Sequence, residues 1–347
     1  MRIVFLLLSA LFLLSCSPKE SLYNTQSYVF GTLVDISIYG ETDERAQAVS
    51  NGIIQQYNAL HQRLHAWKPS ELSTINQAFS EGKSITIKPD IAQILRNAAA
   101  LSIQSEGAFN PAIGQLIKLW GFQDDTFIPH QVDVDAVKAL VSKNPKMSDI
   151  VINGNQVHSN NQAVQLDLGG YAKGYALDIG LVYLKEQNIK HALINIGGNI
   201  IALGQHGEQP WRVGIQHPRQ PNAIATLALP SGWAIGTSGD YQRYFELDGQ
   251  RYCHVIDPST GYPVQDMQSV TVLISPQQHA GVLSDVASKP IFISDASKRV
   301  YQTKKMGVND FLIMAPKNHL QVSASMQEKL NWLDTQAAKA VKVVSVE

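Results

Sequence analysis

Three segments of this chain carry residues suited to chemistry. The first reads Asp167-Leu-Gly-Gly-Tyr-Ala-Lys-Gly-Tyr-Ala-Leu-Asp178. Glycine lets backbone approach a ligand closely and offers N–H groups to an anion. Val164, Leu166 and Leu168 lead into this segment as a strand-like run, and a helix is predicted to follow. Exposed N–H groups at that helix start, with Lys173 beside them, make a suitable phosphate site. The segment matches neither the P-loop pattern nor GxGxxG, and a plain strand-to-helix turn is the blander reading. The second segment is His254-Val-Ile-Asp-Pro-Ser-Thr-Gly-Tyr-Pro263. His254 can serve as a general acid or base, or as a ligand, and Asp257 can order the turn through its side chain. A structural histidine beside a strand is the alternative. The third is Asp285, at a predicted helix start, where an acid suits the helix dipole. Further glycines at Gly197-Gly198, Gly204, Gly236 and Gly239 lie between these segments.

The elements that must position them follow from periodicity. Tyr28 to Tyr39 alternates around Gly31, with Val34, Ile36 and Ile38 on one face, and predicts a strand. Helical spacing covers Asp43 to His65, and Pro89 to Ser105 is a second helix candidate. The loop GAFNPAIGQL follows. His191 to Ile196, Trp211 to Gln216, Ile224 to Leu229 and Val270 to Ser275 read as strands. A helix through Leu184 and another from His279 to Ser288, interrupted by Pro290, complete the pattern. Helices and strands alternate irregularly, which predicts an α+β fold with a mixed or antiparallel sheet core and packed helices. The stretch from Gln131 to Asn160 has weak apolar patterning and reads as a peripheral insertion.

The first residues, MRIVFLLLSALFLLSC, combine a positive start at Arg2 with an apolar run from Ile3 to Leu14. That run is shorter than the about 20 apolar residues a membrane span needs. It fits a signal peptide over residues 1–15. Leu13-Leu14-Ser15-Cys16 looks like a bacterial lipobox, so Cys16 is expected to be acylated and to become the mature N-terminus. An ordinary signal that discards Cys16 is the competing reading. Residues 16–27 are expected to form a lipidated tether, and 28–347 the catalytic domain. The implied setting is the bacterial periplasm, with anchoring to the inner or outer membrane. Each buried methylene of a lipid adds about 0.8 kcal/mol to such anchoring. Removing residues 1–15 takes away one arginine and no acid, which moves the formal net charge from −1 to −2. That balance argues against nucleic-acid binding. With Cys16 assigned, Cys253 is the remaining cysteine, so there is no disulfide framework and no cysteine metal site. Hydrophobic content of 44% and charged content of 16% are those of a globular chain.

These segments together resemble the FAD:protein FMN transferases, the ApbE-type family. The matching pieces are Phe30 to Thr32, His65 to Asn76, Gly107 to Phe122, Leu166 to Asp178, Ile194 to Gly204, Ala234 to Tyr244, Tyr252 to Pro263 and Ser269 to Val272, in the family's order. The resemblance implies a cleft that binds FAD, uses Mg²⁺ and moves the FMN half onto a threonine or serine hydroxyl, releasing AMP. It implies acceptor flavoprotein subunits of membrane redox complexes as partners. Displacement at phosphorus depends on charge neutralisation and alignment. By the resemblance, the Ala172 carbonyl and the Asp285 carboxylate would hold the metal. Gly197, Gly198 and the turn Thr237-Ser238-Gly239-Asp240 would line the nucleotide, with Asp167 and Lys173 from the glycine-rich segment. His254 would sit near the pyrophosphate and act with Asp285 in catalysis. Trp67 falls where the family often has a tyrosine that stacks on flavin, and Phe30 stands in for a frequent methionine.

One departure concerns the metal directly. The family usually has Asp-x-x-x-Thr near the end, with the threonine oxygen on the metal. Here the run is Asp285-Val-Ala-Ser-Lys289, followed by Pro290. A charged lysine has no lone pair to donate, and it repels a nearby Mg²⁺. Either Ser288 or a water supplies the oxygen while Lys289 turns to solvent or to phosphate, or the chain binds FAD without transferring. Cleavage of FAD by water is a third outcome. Asn110, where the family commonly has aspartate, is a milder change.

Overall fold

A computed structural model describes residues 21–317 and 319–345; residues 1–15 and Cys16 lie outside that range. Its centre is a nine-stranded sheet. The strands are Leu22–Val29, Thr32–Tyr39, His191–Ile196, Asn199–Leu203, Ala234–Gly239, Ser269–Ile274, Asp310–Ala315, His319–Ser323 and Lys342–Val344. Their order across the sheet is their order along the chain. Every pairing is antiparallel except the last, His319–Ser323 with Lys342–Val344, which is parallel. The sheet is therefore mixed and the class α+β, as the irregular alternation predicts.

Both faces of the sheet are covered, and the period of two sorts the side chains between them. In Ser269–Ile274, Val270, Val272 and Ile274 face one core while Leu273 faces another. Asp310–Ala315 repeats this, with Phe311 and Ile313 on the first side and Leu312 and Met314 on the second. The first core holds the helices Asp43–Arg63, Gly169–Glu186 and Ala280–Ile293. The second is closed by a three-stranded sheet built from Trp211–Gln216, Ala223–Leu229 and Leu330–Trp332. Covered on both faces, Ser269–Ile274 and Asp310–Ala315 are buried at every residue, the polar Ser269, Thr271 and Asp310 included.

Four features depart from expectation. The chain reverses at Phe30-Gly31 rather than running as one strand to Tyr39. Both residues are left-handed, with φ of 58° and 70°, which is the turn that suits a two-residue hairpin. Phenylalanine at the first turn position hides that signal, because Asn, Asp or Gly usually marks it. Residues 22–27, expected as tether, consequently form an edge strand. Their outward polar side chains are satisfied across the hairpin: Ser37 donates to Asn24 and Gln26 donates to Asp35.

Pro290 does not interrupt its helix, which runs Ala280–Ile293. Ile291 and Phe292 are fully buried and hold the last turn in place. The Ser294 N–H closes that turn on the Pro290 carbonyl at 3.1 Å. Finally, Gln131–Asn160, expected as a peripheral insertion of weak apolar patterning, contributes to the core. It forms the helix Val134–Lys143 and the hairpin Ile150–Asn153 with Gln156–Ser159, and Val137, Met147 and Val157 are buried. Among the described residues, no helix is long and apolar enough to cross a membrane.

Candidate active site

Two helices meet at the site through glycine. A Cβ on Gly174 would lie 2.4 Å from the Gly281 carbonyl and 2.7 Å from the Val282 Cα. This contact seats helix Gly169–Glu186 directly on helix Ala280–Ile293. Asp178 ties them further by accepting from the Gly281 and Val282 N–H groups at 2.8 and 2.9 Å. It caps a helix whose own cap position, His279, makes no side-chain capping hydrogen bond. Gly236 lets the neighbouring strand approach the same helix, since a Cβ there would lie 2.1 Å from the Ser284 carbonyl.

This packing places Asp285 in the helix's second turn rather than at its start, 2% exposed. Its Oδ2 accepts from the Gly174 N–H at 3.0 Å. Its Oδ1 lies 2.7 Å from the Lys289 ammonium and 3.8 Å from that of Lys173. Burial alone would raise the Asp285 carboxyl. Lys173, Lys289 and the Gly174 N–H outweigh it and hold the group below the usual carboxylate range. Burial pushes the Lys289 ammonium below the usual lysine range, against the pull of Asp285.

The site opens into a cavity of about 420 Å³ that adjoins a second of about 220 Å³. Phe30, at the hairpin tip, lines both, as do Asp167, Lys173 and Arg243. The larger cavity has apolar walls from Ile113, Ile117 and Ile256 and reaches Thr237, Ser238, Gly239, His254, Asp285 and Lys289. The smaller is aromatic, with His61, His65 and Trp67. Two compartments that meet at Lys173 and Arg243 suit an elongated ligand with an anionic middle.

Asp167 orients this junction. One oxygen accepts from the Gly169 N–H at 2.8 Å and the other from the Trp67 Nε1 at 3.0 Å. Trp67 is further held by its loop, because the N–H groups of Trp67 and Lys68 both donate to His65 Nδ1. His254 Nδ1 lies 3.2 Å from the Arg243 carbonyl. A carbonyl only accepts, so Nδ1 carries the proton and Nε2 keeps its lone pair. Desolvation, then Arg243, Lys173 and Lys289, push this histidine down to about 3. It is neutral at physiological pH.

That depression predicts a stability effect. Between about pH 6.5 and about 3 the unfolded chain protonates His254 while the native chain does not. Unfolding is therefore favoured as pH falls through that window. The urea midpoint should drop from pH 7 to pH 4, and His254→Gln should reduce the drop.

Not every expected residue faces the cleft. Gly197 lines it, whereas the Gly198 N–H turns back to Asn195 Oδ1 at 2.9 Å. Asp240 is taken by Arg219 in a bidentate pair and does not line the cavity. Ser288 donates to the Asp285 carbonyl and contacts Ser238 Oγ at 2.7 Å, so its hydroxyl is committed. Lys289 turns neither to solvent nor away from Asp285; its ammonium also bonds the Asp285 carbonyl at 2.6 Å. Arg243 was not legible as a site residue, since only the fold brings it to the Phe122 and Asp124 carbonyls, to which its Nη2 donates at 3.1 and 3.3 Å.

Asp285 and Ala172 do not make a fitting place for Mg²⁺ in this arrangement. The threonine oxygen is replaced by an ammonium, and that ammonium already rests on the carboxylate. Like unit charges about 4 Å apart repel by roughly 4 kcal/mol at an effective dielectric of 20, and a divalent ion doubles this. Among the described residues, no group of three or more His, Cys, Asp or Glu side chains is placed to hold a metal ion.

Cys253 is buried and free, bonding the Val264 carbonyl at 3.5 Å. Burial pushes its thiol up to about 12. Native protein should therefore resist thiol reagents at neutral pH and react only on unfolding, which a titration with and without urea checks.

The geometry agrees with the comparisons. The model of the ApbE family matches residues 30–311. The chain belongs to the ApbE family. Among its relatives is the FAD:protein FMN transferase of Rhodobacter capsulatus, 36% identical over 320 residues, which covers 92% of this chain and 60% of that protein. The chain thus spans about 60% of that relative's length. The FAD:protein FMN transferase of Escherichia coli (strain K12) is 32% identical over 294 residues, covering 78% of this chain and 81% of its own. The solved ApbE protein of Thermotoga maritima superposes with a TM-score of 0.81 at 27% identity, covering 89% of this chain and 99% of that one.

Proposed function

We propose that this ApbE-family chain transfers the FMN half of FAD to a threonine or serine hydroxyl of an acceptor protein and releases AMP. The observation that carries the reading is the pair of cavities meeting at cationic groups, with neutral His254 on the wall. A dinucleotide has that form: two ring systems joined by a pyrophosphate. The isoalloxazine would stack on Trp67 in the smaller cavity and the adenosine would occupy the larger one. In the reaction the acceptor oxygen bonds the FMN phosphorus while the bond from that phosphorus to the bridging oxygen breaks. AMP leaves with the bridging oxygen, and the hydroxyl proton passes to His254 Nε2. A bound pyrophosphate adds negative charge near the ring and raises its basicity for that task. Mg²⁺, which the resemblance implies, takes no part in these steps, because the residues around Asp285 do not fit it.

The same reading includes lipid anchoring through Cys16 in a bacterial periplasm, on the inner or outer membrane. The anchor would hold the cleft near membrane redox complexes whose flavoprotein subunits are the acceptors. Mass spectrometry of the mature N-terminus should find an acylated Cys16; an unmodified N-terminus beyond residue 16 would remove the anchor.

The test of transfer uses detergent-solubilised full-length protein, FAD and a threonine-bearing acceptor subunit. A covalent flavin-fluorescent acceptor band with equimolar AMP is expected. Free FMN and AMP without acceptor would replace transfer with hydrolysis, and FAD binding with no product would leave a binding protein. His254→Ala should slow transfer by about 10²–10⁴-fold with FAD affinity changed much less, read from single-turnover AMP release.

A further inference from the structure

Lys289 reaches Asp285 by a built path. Its backbone lies one turn beyond Asp285 on the same helix, and its ammonium bonds both the carboxylate at 2.7 Å and the main-chain carbonyl at 2.6 Å. Gly170 makes room for its stem, since a Cβ there would lie 2.8 Å from Lys289 Cε. Lys173 approaches the same carboxylate from the facing helix at 3.8 Å. Both lysines line the larger cavity, Lys173 at its junction with the smaller one.

We propose that the ammonium groups of Lys289 and Lys173 replace the divalent cation in this cleft and clamp the ligand's pyrophosphate, with Asp285 positioning them. The inference rests on FAD being the ligand. Two ammonium groups carry the same formal charge as one divalent ion. Both line the larger cavity, Lys289 spends two of its three ammonium donors on Asp285 and keeps one for a phosphate oxygen, and an ammonium bonds phosphate as a point charge. In the transfer step the acceptor oxygen bonds the FMN phosphorus and the bridging oxygen departs with AMP. The ammonium groups neutralise the charge gathering on the non-bridging and departing oxygens, and the hydroxyl proton goes to His254. No further co-reactant is needed.

The test measures FAD affinity and transfer by full-length protein in EDTA and in millimolar Mg²⁺. Both should be the same in the two conditions, and Mg²⁺ titrated into the FAD-loaded protein should give no binding heat. Lys289→Met should weaken FAD binding by roughly ten-fold or more. Lys289→Thr, which frees the Asp285 carboxylate and adds a hydroxyl oxygen, should make FAD binding respond to Mg²⁺ where the wild type does not. If neither variant folds, the wild-type metal titration and EDTA comparison decide alone. Wild-type FAD binding or transfer that collapses in EDTA and returns with Mg²⁺ would overturn the clamp while leaving transfer intact. EDTA-insensitive FAD binding with no product on any acceptor would keep the clamp and remove transfer. No FAD binding in either condition would remove both.

Discussion

Gly174→Ala should destabilise the native chain by about 1–3 kcal/mol or more and abolish FAD binding. Elsewhere in a helix the change favours folding by up to about 1 kcal/mol, because alanine loses less backbone entropy. Here the new methyl would sit 2.4 Å from the Gly281 carbonyl, 2.7 Å from the Val282 Cα and 2.8 Å from the Asp285 Cβ. Main-chain atoms on a buried helix cannot swing aside, so the helices must separate. Overpacking of this kind costs about 1–3 kcal/mol or more. Separation also draws Asp285 off the Gly174 N–H and misplaces Lys289. Gly52→Ala is the contrast. A Cβ there would lie 2.2 Å from the Tyr183 hydroxyl, the far end of a side chain that can turn away. Urea midpoints of the two variants and their FAD affinities check the difference. Equal stability in both would show that the helix contact is softer than its geometry.

Asp285→Ala should cost about 3–5 kcal/mol and lower transfer by more than about 10²-fold. Deleting one partner of a buried ion pair leaves the other charge uncompensated. In this case Lys289 and Lys173 would repel each other with nothing between them, and the Gly174 N–H would lose its acceptor. Misplacement of positioning groups by about 1 Å commonly costs 10²-fold in rate. Adding Lys289→Met to Asp285→Ala should recover much of the stability, since an apolar replacement of a buried pair is often neutral. It should recover none of the transfer. Thermal melts and single-turnover AMP release separate the two effects; parallel recovery of both would remove the pair from the chemistry.

Much of the scaffold was legible because burial leaves a period. Val34, Ile36 and Ile38 alternate and all three are fully buried. The glycine-rich segment does open a helix, and its Gly174 and Gly170 prove to be contact glycines. What escaped reading depends on partners far away in sequence. The hairpin at Phe30 lacked the usual turn residues. Asp240 looked like part of a nucleotide turn until Arg219 claimed it. Pro290 looked disruptive until Ile291 and Phe292 anchored the turn beyond it.

The sequence by itself determined the family, the α+β class and the segments that gather at the cleft. It also exposed the lysine at 289, because an ordered set of motifs makes a single departure visible. Where the Lys289 ammonium goes was decided only by the tertiary structure. Local spacing allows such a side chain to reach solvent, phosphate or its own helix. The choice follows from the buried carboxylate one turn back, the gap left by Gly170 and the second lysine on the facing helix. Those neighbours meet only because Gly174 lets the two helices touch.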